Sequence, residues 1–114
     1  MPHIVVEYSA TLDQSHDMQA LCENLFKVTR DSGVFPDIGA IKVRAAPCPY
    51  VFIGKESQSF AHATVRLLAG RNTETKAHLA NLILETLDAT LPDVGSLTVD
   101  IKDIDRETYA KRVL

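Results

Sequence analysis

FPDIGAIKVRA (residues 35–45) is followed, at a spacing of 56 residues, by the similar stretch LPDVGSLTVDI (residues 91–101). Each stretch has a large apolar residue before Pro-Asp, then a β-branched residue, a glycine and a small residue. Each then alternates between apolar and polar residues, which is the period-2 pattern of a β-strand. Because the spacing is about half of the 114-residue chain, the repeat indicates that one structural unit is duplicated.

The first half of the chain has the pattern of a strand, a helix and a second strand. HIVVEYS (residues 3–9) has the β-branched and aromatic composition of a strand. The helix after it has one apolar stripe at i, i+3, i+4, i+7 and i+10, and Gly33 in the sequence DSG ends it. The stripe consists of Met18, Leu21, Cys22, Leu25 and Val28.

The second half repeats this order of elements. AHATVRLLAG (residues 61–70) predicts a strand, and Asn72 or Thr73 caps the helix that follows. Pro92 ends that helix. The apolar stripe predicted to be buried consists of Ala80, Ile83, Leu84 and Leu87.

Two β-α-β halves predict an α+β fold with a four-stranded mixed sheet and two helices on one face. The strands within each half are parallel because a helix connects them. We expect a single domain over residues 1–114, with the repeated halves at about 2–46 and 59–103. The link PCPYVFIGKESQ (residues 47–58) is rich in turn residues and has a short strand over 50–53, and the tail forms a short helix from Arg106.

The first strand carries apolar residues on both of its sides, at Ile4, Val5 and Val6. This is the pattern of a strand that is buried on both faces of a sheet. With only two helices in the chain, the second cover has to come from another subunit. We therefore expect a homo-oligomer.

The composition indicates a globular protein and excludes several classes of partner. Hydrophobic residues make up 46% and charged residues 24%, and the net charge of −3 provides no general attraction for nucleic acid or anionic membranes. No apolar run approaches the ~20 residues that span a bilayer, and the start lacks the pattern of a signal peptide. Cys22 and Cys48 are too few for a cysteine-rich metal site and fit a reducing cytoplasm. We expect a cytoplasmic protein.

Pro2 directly follows the initiator methionine, and two interpretations are open. Proline is tolerated at the first residue of a strand, where its missing N–H costs little. If Met1 is removed, however, the ring nitrogen of Pro2 becomes a free secondary amine at a rigid position. Such an amine is a titratable base.

Three cationic residues are candidates for binding an anion near Pro2. Lys42 and Arg44 alternate with apolar residues, so their side chains share one strand face, about 6.5–7 Å apart. Arg71 follows Gly70 and precedes a capped helix, where free N–H groups favour an anion. Each of the three can instead be an ordinary solvated side chain. Parallel pairing puts Lys42 near Pro2, and a pseudo-twofold between the halves puts Arg71 at the same edge, from this chain or a neighbouring one.

The whole chain resembles the tautomerase superfamily, and within it the 5-carboxymethyl-2-hydroxymuconate isomerase family. The resemblance lies in MPHIVVEYS, SGVFPDIGAIKVRA, LLAGRNTETK and DIDRETYAKRV. It implies a tautomerase-like homotrimer in which Pro2 is the catalytic base and Lys42, Arg44 and Arg71 bind substrate. Lys42 stands where the family has an arginine, and lysine is a point charge rather than a two-pronged donor.

The resemblance also implies the reaction. A small anionic dienol with two or three carboxylates is converted to a ketone by a proton shift, without metal or organic cofactor, as in the degradation of 4-hydroxyphenylacetate and homoprotocatechuate. Phe35, Tyr50 and Phe52 are candidate pocket walls or core residues, and His62 is a candidate structural histidine. His3 is next to Pro2 and is a candidate for tuning it, but its side chain points to the opposite face if the strand begins there. The alternatives are another proline-base tautomerase, such as a 4-oxalocrotonate tautomerase-like enzyme, a dehalogenase or a relative of macrophage migration inhibitory factor. A non-catalytic domain that binds a small anion is the alternative from a different class.

Overall fold

The computed structural model describes residues 1–55 and 58–114, and nine elements follow one another along them. Four are strands, two are α-helices and three are short 3-10 helices. The strands are β1 (His3–Ser9), β2 (Lys42–Cys48), β3 (Phe60–Leu68) and β4 (Ser96–Ile104). The α-helices are α1 (Met18–Asp31) and α2 (Thr73–Thr90), and the 3-10 helices are Ala10–Gln14, Ile38–Ala40 and Arg106–Thr108.

The sheet has the strand order β2-β1-β3-β4 and is mixed. β1 pairs with β2 in parallel and β3 pairs with β4 in parallel, while β1 and β3 pair antiparallel at the centre. Each parallel pair is joined through a helix, so the chain consists of two β-α-β units placed side by side in opposite directions. This confirms the fold class that the repeat predicts.

The core lies between the sheet and the two helices. Ile4 and Val6 of β1 are fully buried, and alternate residues of β3 are buried in the same way. From α1, Leu21 and Leu25 pack into this core, as the predicted stripe requires. In α2 the prediction is partly wrong, because the buried residues recur every four positions and Leu84 is exposed. The buried residues of this second stripe are Leu79, Ile83, Leu87 and, just after the helix, Leu91.

Both α-helices begin with a side-chain cap. Asp17 accepts a hydrogen bond from the backbone N–H of Ala20 at 3.0 Å, and Asn72 accepts one from Thr75 at 2.8 Å. Asn72, and not Thr73, is therefore the cap of α2. After α1 the chain turns at Gly33, whose φ of +74° lies in the left-handed region that favours glycine.

The sheet face turned away from the helices, called the open face here, is mostly polar. β1 contributes His3, Val5 and Glu7 to it, and only Val5 is apolar among these three. β1 therefore carries apolar residues on both of its sides, as predicted, with Ile4 and Val6 toward the helices and the partly buried Val5 on the open face.

The link between β2 and β3 differs from its prediction. Residues 50–53 form no strand, and the side chains of Tyr50 and Phe52 are 94% and 100% exposed in the single chain. Neither aromatic ring is a core residue within one chain, although Phe52 lines an open hollow beneath the link. Phe35 is buried as predicted. Glu56 and Ser57, also in the predicted link, lie outside the described residues. The tail forms its short helix at the predicted position, as a 3-10 turn from Arg106.

Candidate functional site

Pro2 is held at the edge of the sheet where β1 and β2 begin. The backbone N–H of Lys42 donates to the carbonyl of Pro2 at 3.1 Å, and His3 and Lys42 are register partners. The ring of Pro2 is fully buried. The parallel pairing thus brings Pro2 next to Lys42, as the topology predicts.

A free amine lies directly beside Pro2, and it belongs to Met1. With Met1 in place, the nitrogen of Pro2 is an amide and is not basic. Burial lowers the pKa of the Met1 amine, and the positive charges of Lys42, Lys111 and Arg71 lower it further, against the opposing effect of Asp37. The N-terminus is therefore surrounded by an excess of positive charge in a protein whose net charge is negative.

Arg71 is positioned by the turn that joins β3 to α2. Gly70 adopts a φ of +133°, which a side chain would strain, and the chain then enters the capped helix. The guanidinium of Arg71 donates to the carbonyls of Leu68 at 3.1 Å and Val34 at 3.4 Å. Its Cζ lies 4.7 Å from the ring centroid of Phe35, a cation–π contact. These contacts fix the arginine within its own chain and leave part of its five-donor fork free.

Lys42 and Arg44 both lie on the open face and are exposed, as their alternation predicts. The Nζ of Lys42 donates to the carbonyl of Ala40 at 3.3 Å. The Nη1 of Arg44 lies 3.0 Å from Nδ1 of His3. Because a guanidinium only donates, Nδ1 accepts this hydrogen bond and the proton of the neutral ring is on Nε2. Burial lowers the pKa of His3, and the charges of Arg44, Lys42, the amine and Arg66 add to that effect.

The C-terminal tail reaches the N-terminus by a defined route. The N–H of Ala69 donates to Ile104 at 3.0 Å, and Nε of Arg106 donates to the carbonyl of Ala69 at 2.7 Å. Asp105 caps the short helix by accepting from the N–H of Glu107. These bonds direct the following residues toward Met1, so that Lys111 acts on its amine.

A groove of about 670 Å³ lies beside the N-terminus, and it is called the N-terminal groove here. It brings together the start of β1, the open face and the tail. Its lining consists of Met1, His3, Arg44, Arg66, Asp103, Ile104, Asp105, Thr108, Tyr109 and Ala110. A hollow of about 770 Å³ lies at the other end of β1, under the β2–β3 link, and does not include Pro2.

Two cations near the N-terminus, Arg66 and Lys111, are absent from the sequence-based prediction of the site. Arg66 lies between the buried residues Val65 and Leu67 of β3, so its side chain is on the open face. The period-2 pattern of β3, together with the antiparallel pairing of β1 and β3, could have predicted its position beside His3. Lys111 follows the last regular element, and no sequence pattern relates it to Met1.

Two further properties bear on what the site holds. In the described parts of the chain, no group of three or more His, Cys, Asp or Glu residues is arranged to hold a metal ion. No helix over those residues is long and apolar enough to cross a membrane.

His62 bonds to Thr98 through Nδ1 at 2.6 Å on the open face, consistent with its interpretation as a structural histidine.

A family model described as 5-carboxymethyl-2-hydroxymuconate isomerase matches residues 2–112. The chain belongs to this family. It is therefore an isomerase of the tautomerase superfamily, and the resemblance seen in the sequence is confirmed. A search of the curated proteins finds no significant match.

Solved structures agree with the family and with the fold. A 5-carboxymethyl-2-hydroxymuconate delta-isomerase is 25% identical, with a TM-score of 0.78, covering 99% of this chain and 88% of the other. A 5-carboxymethyl-2-hydroxymuconate isomerase from Deinococcus radiodurans R1 is 23% identical, with a TM-score of 0.83, covering 97% and 88%. A fused 4-OT protein in a symmetric trimer is 22% identical, with a TM-score of 0.78, covering 96% and 90%. The last two likenesses concern the fold alone.

Proposed function

We propose that this chain, once Met1 is removed, isomerises 5-carboxymethyl-2-hydroxymuconate with Pro2 as the catalytic base. The observation that carries the proposal is the surroundings of the N-terminus, where Lys42, Lys111 and Arg71 act on one partly buried amine. A base flanked by cations suits proton transfer on a substrate that carries several carboxylates.

The first requirement is a base that is unprotonated near neutral pH. An ordinary α-amino group has a pKa of ~7.7–8.0. The same burial and the same cations that lower the pKa of the Met1 amine would act on the amine of Pro2, one residue further into the chain. General-base efficiency is highest when the pKa lies near the working pH.

The reaction moves one proton and shifts two double bonds. Pro2 takes the proton from the hydroxyl oxygen at carbon 2 of the dienol, and negative charge develops on that oxygen. The protonated amine then delivers a proton to carbon 5, the far end of the diene, and the product is a conjugated ketone. Atoms and charge balance without a cofactor.

The second requirement is stabilisation of negative charge. Arg71 is the strongest candidate for the oxygen at carbon 2 and the adjacent carboxylate, because its guanidinium is held by two carbonyls and by Phe35. Lys42 lies beside Pro2, and Arg44 lies in the N-terminal groove next to His3. We assign both to the carboxylate at the other end of the muconate chain.

The proposal includes a homotrimer and a cytoplasmic location. The exposed rings of Tyr50 and Phe52 form an apolar surface of the kind that another protein copy covers. A fused 4-OT protein of the same fold forms a symmetric trimer. Both cysteines are free, which fits a reducing compartment.

The test is the isomerisation of 5-carboxymethyl-2-hydroxymuconate, followed by ultraviolet absorbance, after mass spectrometry has established that Met1 is absent. We expect rapid turnover by the native chain. Pro2→Ala should lower kcat/KM by about 10²- to 10⁴-fold, the usual contribution of a general base, while circular dichroism shows an unchanged fold.

The outcomes separate the alternatives. Turnover that survives in Pro2→Ala would refute the proline base. Absence of turnover in the native chain, with Met1 gone, would favour another proline-base tautomerase substrate. If no substrate of that class is turned over, the non-catalytic anion-binding domain becomes the better explanation.

A further inference from the structure

We infer that Arg66 binds the carboxylate of the 5-carboxymethyl branch, and so sets the preference for a tricarboxylate over a dicarboxylate; this rests on the proposed function. Muconate itself has two carboxylates, and the carboxymethyl group adds a third. Lys42, Arg44 and Arg71 are the candidates for the first two. The third carboxylate has no assigned partner among them.

The sheet register places Arg66 at the site. Arg66 is the antiparallel partner of His3, and His3 is the parallel partner of Lys42. These three residues therefore lie in one row across the open face, one residue beyond Pro2 along the chain. Arg66 is exposed and lines the N-terminal groove together with Met1 and Arg44.

The charges in the groove favour an additional anion. Within residues 1–55 and 58–114, neither Arg66 nor Arg44 nor Lys42 forms an ion pair with a carboxylate. The two acids of the groove are engaged elsewhere: Asp103 accepts from Lys76 at 3.3 Å, and Asp105 caps the short helix. The positive charge of Arg66 is therefore available to a ligand.

The neutral ring of His3 allows Arg44 and Arg66 to lie close to one another. His3 lies between Arg66 and Arg44 and accepts from Arg44 through Nδ1. A neutral imidazole spaces the two guanidinium groups without adding charge, and its Nε2–H is a further donor. The guanidinium fork of Arg66 matches a carboxylate in geometry.

The experiment compares two dienols that differ only in the carboxymethyl group that carries the third carboxylate, 5-carboxymethyl-2-hydroxymuconate and 2-hydroxymuconate. We expect Arg66→Gln to lower kcat/KM for the tricarboxylate by about 10- to 100-fold, mainly through a raised KM, as for the loss of a charge-assisted hydrogen bond. For the dicarboxylate we expect less than about a threefold change, within the effect of an uninvolved surface substitution.

Arg30→Gln is the matched control, because Arg30 is exposed on α1 and pairs with its neighbour Asp31. We expect it to change neither substrate. Equal losses on both substrates in Arg66→Gln, or no loss on either, would overturn the inference. Thermal unfolding of each variant verifies that the fold is retained.

A binding measurement separates this inference from the proposed function. If the native chain turns over neither dienol, calorimetry with propane-1,2,3-tricarboxylate and propane-1,3-dicarboxylate tests Arg66 alone. Weaker binding of only the tricarboxylate in Arg66→Gln would support the inference. Unchanged or equally weakened binding of the two probes would refute it.

Discussion

The proposed reaction depends on the N-terminal amine, and the pKa of this amine is set by the groups around it. Burial is the largest cause of the lowered pKa, followed by Lys42 and Lys111. Burial in the protein and nearby positive charge both disfavour the ammonium form. Removing one of these cations therefore raises the pKa of the amine, so a larger fraction is protonated and inactive at a given pH.

Lys111→Gln tests this electrostatic argument. In the native enzyme, kcat/KM should rise with pH as the amine loses its proton and level off above the pKa. In the variant, the rising limb should move to higher pH because one cation near the amine is gone. The measurement is the pH profile of kcat/KM under constant ionic strength.

Arg112→Gln is the control for that profile, since Arg112 is the adjacent exposed cation and is not among the main causes of the lowered pKa of the amine. Its rising limb should coincide with that of the native enzyme. A limb for Lys111→Gln that stays in place or moves to lower pH would contradict the argument.

Among the helices and strands, α2 is the one whose own sequence most directly positions a residue of the site, Arg71. It begins two residues after Arg71, and its first turn is closed by the bond from Thr75 N–H to Asn72. Its core side repeats every four residues, so that Leu79, Ile83 and Leu87 face the sheet. The cap and this stripe fix where the Gly70–Arg71 turn ends.

Asn72→Ala should destabilise the protein by about 1 kcal/mol, because the orphan N–H of the first helical turn loses its acceptor. The measurement is the free energy of unfolding from urea titration. Asn81→Ala is the matched control, being exposed in the middle of the same helix. Its expected change is within about 0.5 kcal/mol, since it removes no cap. Equal stability of the two variants would contradict the capping argument.

At the scale of the whole molecule, the single chain leaves two surfaces that one protomer does not cover. The open face is polar and carries the cations around His3. The β2–β3 link exposes Tyr50, Val51 and Phe52 to solvent. An apolar loop of this kind on a small domain indicates a protein–protein contact.

Phe52→Ser should weaken the proposed trimer, because each protomer would lose the burial of a phenylalanine side chain, worth about 1.5–3 kcal/mol. Sedimentation velocity at decreasing protein concentration measures the effect. We expect the variant to dissociate at concentrations at which the native chain remains a trimer.

Leu84→Ser is the control for the trimer measurement, since Leu84 is a partly exposed apolar residue on α2, away from the link. It should remain a trimer. Native-like assembly of Phe52→Ser, or equal dissociation of both variants, would show that the link is not the contact.

Local patterns in the sequence accounted for much of the fold. The repeated Pro-Asp-X-Gly stretch marked the entry to β2 and β4, and alternation placed Lys42 and Arg44 on one face. Period and propensity are local properties, so they are readable without coordinates. The same patterns failed for residues 50–53 and for Leu84, where neighbouring elements or chains decide which side of a segment is buried.

The sequence by itself determined the duplicated β-α-β order, the cap choices near Asn72, and the family to which the chain belongs. Only the tertiary structure brought Arg66 into one row with His3 and Lys42, and only it carried Lys111 back to the N-terminus. The physical reason is range. Hydrogen-bonding periodicity acts over a few residues, whereas the charge around the amine is the sum of groups that folding collects from both ends of the chain.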